Sequence, residues 1–100
     1  MARIKHIVLL KFNESTAADQ VEQCFNEILE LSENVPGVDD YVAGPNVNPE
    51  PMNHGFTHAF IMTFADAAAR DAYLAHPERT RVRALVDAHV EKALAFDFEV

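Results

Sequence analysis

Residues 3–12 read RIKHIVLLKF, and this stretch decides the fold. Side chains alternate between the two faces of a strand, so the even-numbered positions form one row and the odd-numbered positions the other. Both rows are apolar in the middle, which is typical of a strand that lies inside a sheet and is covered on both sides. His6 is the only polar residue of the even row. Because an unpaired buried polar group costs roughly 1–3 kcal/mol, His6 predicts a polar partner or a neighbouring cavity.

A second stretch, residues 56–64, reads FTHAFIMTF and repeats the pattern. Its even row holds large apolar side chains and one histidine, His58. The remaining elements follow from helical spacing, proline and glycine breaks and capping residues. They are, in chain order, a helix over 17–33, a weak edge strand over 38–44, a proline-rich loop over 45–55, helices over 67–75 and 78–89 separated at Pro77, and a closing strand over 93–100.

This order of elements predicts an α+β fold of the ferredoxin-like βαββαβ type. Such a protomer has a four-stranded antiparallel sheet with all helices on one face. We expect one domain over residues 1–100, a length that buries a modest core. The first and third strands are neighbours in this topology, so His6 and His58 are expected to meet in a cavity between sheet and helices.

The sheet then has one face under the helices and one open face. Even positions of the first, third and last strands carry the larger side chains, so we assign them to the helices; they include Val8, Leu10, Phe12, Phe60, Met62, Phe64, Leu94, Phe96 and Phe98. The odd face keeps Ile7, Leu9, Ala59, Ile61, Ala93 and Ala95, with Lys5, Lys11 and Asp97 around them. An apolar patch of this extent predicts a homodimer through the odd-numbered sheet face.

Composition narrows the classes of function. The formal net charge of −8 and the pI near 4.9 argue against sequence-independent binding of nucleic acid. No apolar run approaches the roughly 20 residues that a membrane span needs, and residues 1–5 show no signal-peptide pattern. Cys24 is the single cysteine, so no internal disulfide can form. We therefore expect a cytoplasmic protein with no membrane contact and with Cys24 as a small core residue.

Several short motifs occur together along the chain. They are IKHIVLLKF at 4–12, VPGV at 35–38, GFTHA at 55–59, AYLAHP at 72–77 and FDF at 96–98. In this combination and order the chain resembles the stress-responsive dimeric α/β-barrel family over essentially its whole length. The resemblance implies a ferredoxin-like protomer and a homodimer in which two sheets form a central barrel.

The resemblance also implies a pocket. One type of relative is a plant polyketide cyclase, which closes a linear tetraketide by intramolecular aldol condensation without cofactor or metal. Its pocket matches His6, His58 and Tyr73 here. The position of its catalytic histidine is Arg79, and that of a pocket tyrosine is Ile28. Arg79 therefore replaces the general base of those cyclases.

Magnesium is a second implication of the resemblance. Some relatives hold this ion through backbone carbonyls at the end of the first helix, which correspond to Ser32, Val35 and Val38. The negative end of the helix dipole would favour a cation there, although no side-chain ligands accompany it. Otherwise the sequence predicts no cofactor and no metal. Zinc would need three or four ligands, and the two histidines fall short of that number.

The candidate catalytic residues are His6, His58 and Tyr73. An imidazole with an ordinary pKa of about 6.5 can act as general base or acid, and a tyrosine can donate a hydrogen bond to a carbonyl oxygen. The alternative is that both histidines are neutral core residues. The candidate ligand-binding residues are Phe60, Ile28 and Arg79, the last as an anion clamp or as solvated surface.

Two functions remain open. The first is a homodimer with a small apolar ligand pocket and no assignable reaction. The second is a cofactor-free general acid/base enzyme, cyclase-like or isomerase-like, that acts on a small ketide or aromatic compound. Arg79 at the position of the expected base favours the first.

Overall fold

A computed structural model describes residues 2–100 of the chain. Its elements are β1 (Ile4–Phe12), α1 (Ala18–Asn34), β2 (Val38–Pro45), β3 (His58–Phe64), α2 (Ala67–Leu74), α3 (Pro77–Asp87) and β4 (Val90–Glu99). All neighbouring strands are antiparallel, in the order β2-β3-β1-β4. The two stretches predicted as core strands are thus the two central strands, and the predicted ferredoxin-like α+β fold is confirmed. No helix in the described part of the chain has the length and apolar character needed to cross a membrane.

The first helix packs on the sheet through one stripe. Cys24, Ile28 and Leu31 recur at helical spacing and are buried, while the opposite side is exposed. The helix stops before Pro36, and Gly37 follows with a φ of 93°. A Cβ on Gly37 would also lie 2.8 Å from the Ala69 side chain. Both the positive φ and the lack of space for a side chain therefore require glycine at this turn.

The second and third helices each begin at a capping side chain. Asp66 Oδ1 accepts a hydrogen bond of 2.8 Å from the backbone N–H of Ala69 at the start of α2. His76 Nδ1 accepts one of 3.1 Å from the backbone N–H of Glu78, and Pro77 occupies the first turn of α3. His76 therefore caps α3 at the turn between the two helices. After this break, α3 packs next to β4.

The side-chain rows of the two central strands follow the sequence prediction. His6 lies opposite Met62 and Val8 opposite Phe60, so even positions of β1 and β3 share a face. That face is the one under the helices, because its members join the buried core with residues of α1 and α3. In the two central strands, even-numbered side chains therefore point toward the helices and odd-numbered ones toward the open face, as predicted.

The assignment of the last strand is wrong. In the β1–β4 ladder, Ala93 lies opposite Leu10, and Asp97 lies opposite His6, so the odd positions of β4 face the helices. Leu94, Phe96 and Phe98 are on the open face instead, and 44%, 60% and 43% of their surfaces are exposed. Ala93, Ala95 and Asp97, predicted for the open face, lie on the covered one.

A register shift explains the error. Phe12 pairs with Val90, but its neighbour Lys11 pairs with Lys92, so β4 carries one extra residue there. Val90 packs against the core, as its even number predicts. One inserted residue then turns every later side chain of the strand to the opposite face. Side-chain size was a poor guide because the open face of this sheet also carries large apolar residues.

Cys24 is fully buried in the core, as predicted. Burial, and secondarily the charge of Glu27, raises the pKa of its thiol. A buried thiol with a raised pKa is a poor nucleophile, so Cys24 plays a packing role.

Candidate active site

A cavity of about 270 Å³ lies between the sheet and helices α1 and α3. Its volume is just below the roughly 300–1,000 Å³ typical of small-molecule sites. Most of its lining is apolar and comes from β1, β4 and the buried faces of the two helices; these residues include Val8, Leu10, Leu31, Val82, Val86, Ala93 and Ala95. The site is therefore sized for a small, largely apolar ligand.

Five of the residues singled out in the sequence surround this cavity. His6 and Phe60 come from the central strands, Ile28 from α1, Tyr73 from the end of α2 and Arg79 from the first turn of α3. They are distant in sequence and are brought together by the packing of the helices on the even face of the central strands.

His58 is not part of this cavity. It lies opposite Leu10, whereas His6 lies opposite Met62, so the two histidines are four positions apart along the ladder. At about 3.3 Å per residue this separation is about 13 Å. The expectation that both imidazoles meet in one cavity is wrong, because the pairing of β1 with β3 places them four positions apart along the strands.

The His58 ring instead packs among other aromatic rings. Its centroid lies 5.3 Å from that of Phe12 and 5.4 Å from that of Phe25. Burial lowers the pKa of His58, which favours the neutral ring. Its only side-chain hydrogen bond in residues 2–100 joins Nδ1 to Thr57 Oγ1 at 2.9 Å. His58 also lines a second, separate pocket together with residues of the loop after β2, so its ring belongs to the far end of the sheet and not to the cavity beside His6.

His6 is buried and has a carboxylate partner that the sequence analysis missed. Its Nδ1 is 2.6 Å from Oδ1 of Asp97, directly across the β1–β4 ladder. The second carboxylate oxygen, Oδ2, accepts a hydrogen bond of 2.9 Å from Nη1 of Arg70 on α2. Arg70 is held in turn by Asp71, which accepts a bond of 2.8 Å from its Nε. Three elements thus position one imidazole.

The charge state of Asp97 follows from opposing effects. Its partial burial acts to raise the pKa, but the hydrogen bonds and charges of His6 and Arg70 outweigh burial and hold the pKa of Asp97 below its ordinary value. The carboxylate is therefore ionised near neutral pH and accepts a hydrogen bond from the Nδ1–H of His6. This fixes the tautomer, since Nε2 of a neutral ring then carries the lone pair. Nε2 has no hydrogen-bond partner in residues 2–100.

The lowered pKa of Asp97 predicts a pH-dependent stability difference. A carboxyl with a folded-state pKa below its unfolded value stabilises the fold above the unfolded pKa and loses this contribution as pH falls through the folded pKa. We expect the excess unfolding free energy of wild type over Asp97→Asn to shrink as pH falls from about 5 to about 2. Urea unfolding at a series of pH values measures this. An excess that is constant over the whole range would contradict the ion pairs of Asp97.

Aromatic rings enclose the rest of the imidazole. Ring centroids of Phe60, Phe64 and Tyr73 lie 6.4, 6.1 and 6.2 Å from that of His6, all edge-on. Burial raises the pKa of Tyr73, and the nearby charge of Arg79 only partly offsets this. The Tyr73 phenol is thus protonated near neutral pH and is a hydrogen-bond donor beside the cavity.

Asp97 carried a signal in the sequence that only the correct parity would expose. It lies between Phe96 and Phe98, on an odd-numbered row that otherwise holds Ala93, Ala95 and Glu99. With odd positions inward, that row places a carboxylate directly opposite His6. The polar partner predicted for His6 was therefore present in the sequence, but it was not recognised because the odd positions of β4 were assigned to the open face.

The side chains offer little support for a metal site. No group of three or more His, Cys, Asp or Glu residues with suitable geometry occurs in residues 2–100. At the end of α1, the donors suggested by the resemblance, Ser32, Val35 and Val38, would be neutral carbonyls, whereas Mg²⁺ is usually held by one or two carboxylates. The Ser32 hydroxyl donates to the carbonyl oxygen of Leu29 at 2.6 Å. The magnesium site stays a prediction from the resemblance, and no step proposed below uses it.

Comparison with known proteins agrees with this fold. The sequence profile of the Stress responsive A/B Barrel Domain family matches residues 4–100. A stress-response A/B barrel domain-containing protein of Arabidopsis thaliana is 34% identical over 101 residues, covering 96% of this chain and 85% of the relative. Olivetolic acid cyclase of Cannabis sativa is 27% identical over 95 residues, covering 95% of this chain and 94% of the cyclase.

Solved structures show the same architecture. A dimeric ferredoxin-like protein of unknown function from Jannaschia superposes with a TM-score of 0.87 at 28% sequence identity. The match covers 98% of this chain and 99% of that one. The similarity therefore extends over the whole domain, including all the elements that build the cavity.

Proposed function

Because the chain belongs to the stress responsive A/B barrel domain family, we propose that it is a homodimer whose protomers each bind a small apolar carbonyl compound and move a proton on it without a cofactor. The observation that carries the catalytic part is the contact of 2.6 Å between His6 Nδ1 and Asp97, which leaves Nε2 as a base beside an apolar cavity. The similarity to a protein named as a cyclase supports carbonyl chemistry at such a site.

The reaction follows from the positions of three side chains. Nε2 of His6 removes a proton from a carbon next to the carbonyl; the C–H bond breaks, and its electron pair moves onto the carbonyl oxygen to form an enolate. The ionised Asp97 stabilises the imidazolium that results. The hydroxyl of Tyr73 donates a hydrogen bond to the enolate oxygen. If the proton on Nε2 exchanges with solvent before a proton returns to the same carbon, the result is exchange; delivery of the proton to a different carbon gives an isomerisation.

Dimerisation is the second part of the proposal. The open face of the sheet presents Ile7 and Leu9 of β1 beside Leu94, Phe96 and Phe98 of β4. A contiguous apolar surface of this kind is unusual on a monomer, and a second sheet is the simplest cover. The Jannaschia structure is described as dimeric, which supports the same arrangement here. The interface proposed is this open face, which is odd-numbered on β1 and β3 and even-numbered on β4.

Deuterium exchange into a small aromatic ketone tests the chemistry. With 2-tetralone in D₂O, we expect wild type to accelerate exchange at the carbon between ring and carbonyl by roughly 10²–10⁴-fold over buffer, as general-base catalysis provides. His6→Gln should return the rate close to that of buffer, because the amide is not a base at neutral pH. Proton NMR follows the loss of the signal, and the melting temperature verifies that the variant is folded.

His58→Gln is the matched comparison for the exchange experiment. Its ring lies outside the cavity, so we expect it to keep most of the exchange rate. Equal loss in both histidine variants would contradict the assignment of the base to His6 alone. Ketone binding by wild type without any acceleration would favour the alternative function, a non-catalytic dimer that binds small molecules.

A further inference from the structure

Arg79 differs from the other arginines in its partners. Four of the five arginines form ion pairs with carboxylates; these are Arg3 with Asp39, Arg70 with Asp71 and Asp97, Arg81 with Glu27 and Glu78, and Arg83 with Asp87. Within residues 2–100, Arg79 has no such pair. The chain has 16 acidic and only 8 basic residues, so carboxylates are in excess. A guanidinium left unpaired in an acidic protein is available for an anion from outside.

The unpaired guanidinium lies at the cavity. Arg79 is partly buried and belongs to the lining, and its Cζ is 5.9 Å from the centroid of the Tyr73 ring. Tyr73 in turn lies 6.2 Å from the His6 ring. The tyrosine ring thus has both a cation and the proposed base as neighbours. The two polar groups are placed to contact different parts of one small ligand.

The other charges at the cavity balance each other. Arg83 and Asp87 also contribute to the lining, and they pair through Nε and Oδ2 at 3.4 Å. Asp97, behind His6, is already engaged by Arg70. Because these other charges cancel, Arg79 gives the cavity lining a net positive charge. A partly buried cation of this kind is stabilised when an anion binds beside it.

We propose that the ligand of this cavity carries a carboxylate and that Arg79 binds it. A guanidinium donates two parallel hydrogen bonds to a carboxylate, a geometry that neutral groups cannot match. The volume of about 270 Å³ equals the liquid volume of roughly nine waters, which limits the ligand to a small acid. Resting on the proposed function, this assigns the substrate class as a small apolar oxo acid, with its carboxylate at Arg79 and its carbonyl side near His6.

A pair of nearly isosteric probes tests the charge requirement. We use 3-phenylpropanoate and 3-phenylpropanamide, which differ in charge and share an apolar body. NMR titration of wild type at neutral pH should give a dissociation constant about tenfold or more lower for the acid, as expected for a charge-assisted hydrogen bond. Arg79→Gln should abolish this preference and leave the affinity for the amide unchanged.

Arg81→Gln is the matched control. It removes the same charge from the same helix, but Arg81 is exposed and pairs with Glu27 and Glu78 outside the cavity. We expect it to keep the preference for the acid. Equal loss in the Arg81 and Arg79 variants would overturn the proposal, because the preference would then reflect general surface charge.

Two further outcomes also overturn it. Equal affinity of wild type for acid and amide would remove the carboxylate from the substrate class, and binding of neither probe at millimolar concentration would remove this ligand class altogether. Exchange into the neutral 2-tetralone does not require Arg79. It therefore reports on the His6 chemistry separately from the anion site.

Discussion

Replacing Asp97 by asparagine is expected to slow proton exchange of a bound ketone by roughly 10²–10⁴-fold, a loss of the size seen when the carboxylate behind a catalytic histidine becomes an amide. In wild type the ionised carboxylate accepts a hydrogen bond of 2.6 Å from the Nδ1–H of His6, which leaves the lone pair on Nε2. An asparagine amide can donate to Nδ1 instead, which moves the proton to Nε2 and removes the base. The exchange rate of 2-tetralone, measured for both proteins at neutral pH, checks this.

Two features make the Asp97 experiment decisive. Glu99→Gln is a control on the same strand, since Glu99 lies opposite Ile4 and is exposed. It should leave the exchange rate unchanged. A positioning role also predicts a change in the pH profile of the reaction, because loss of the carboxylate destabilises the imidazolium that forms when His6 removes a proton. An Asp97→Asn protein with the wild-type rate and profile would show that His6 does not act through Asp97.

Phe96→Glu is expected to convert the dimer into a monomer. In the isolated protomer 60% of the Phe96 surface is exposed, at the centre of the exposed apolar row on β4. A second sheet against this face would place two new carboxylates in an apolar contact, and unpaired buried charges destabilise an interface by several kcal/mol. Sedimentation velocity at micromolar concentration should show wild type at the dimer mass and the variant at the monomer mass.

Leu29→Glu provides the comparison for the interface. Leu29 is an exposed apolar residue on α1, 43% exposed, on the helix side of the sheet. A charge there should leave the dimer intact, since this side is not the proposed contact. A monomeric wild type, or a Phe96→Glu protein that remains a dimer, would exclude the open face as the interface.

Much of the fold could be predicted from local pattern. The period of two in β1 and β3 predicted both central strands, and the larger side chains at their even positions predicted the correct inward face. Helical spacing and breaks predicted α1, α2 and α3 to within two residues of their observed ends. The same patterns led to His6, since a polar group among large apolar ones needs a partner or a cavity, whereas Tyr73 was implied by the family resemblance.

The last strand, β4, shows where prediction from local pattern fails. Between Lys11 and Phe12 the β1–β4 register slips by one residue, and nothing in the sequence near Val90 signals the extra position. The slip turned Phe96 outward and Asp97 inward. The error thus reversed the roles of two adjacent residues that matter most for the proposed interface and the proposed site.

The sequence by itself determined the order and type of the elements, the inward faces of the central strands and the histidine that needs a partner. These depend on periods of two and 3.6 residues, which are properties of neighbouring positions along the chain. Only the tertiary structure decided that Asp97 is that partner and that His58 lies elsewhere. Both depend on the register between distant strands, which is set by how complete side-chain rows pack across the sheet rather than by any local stretch.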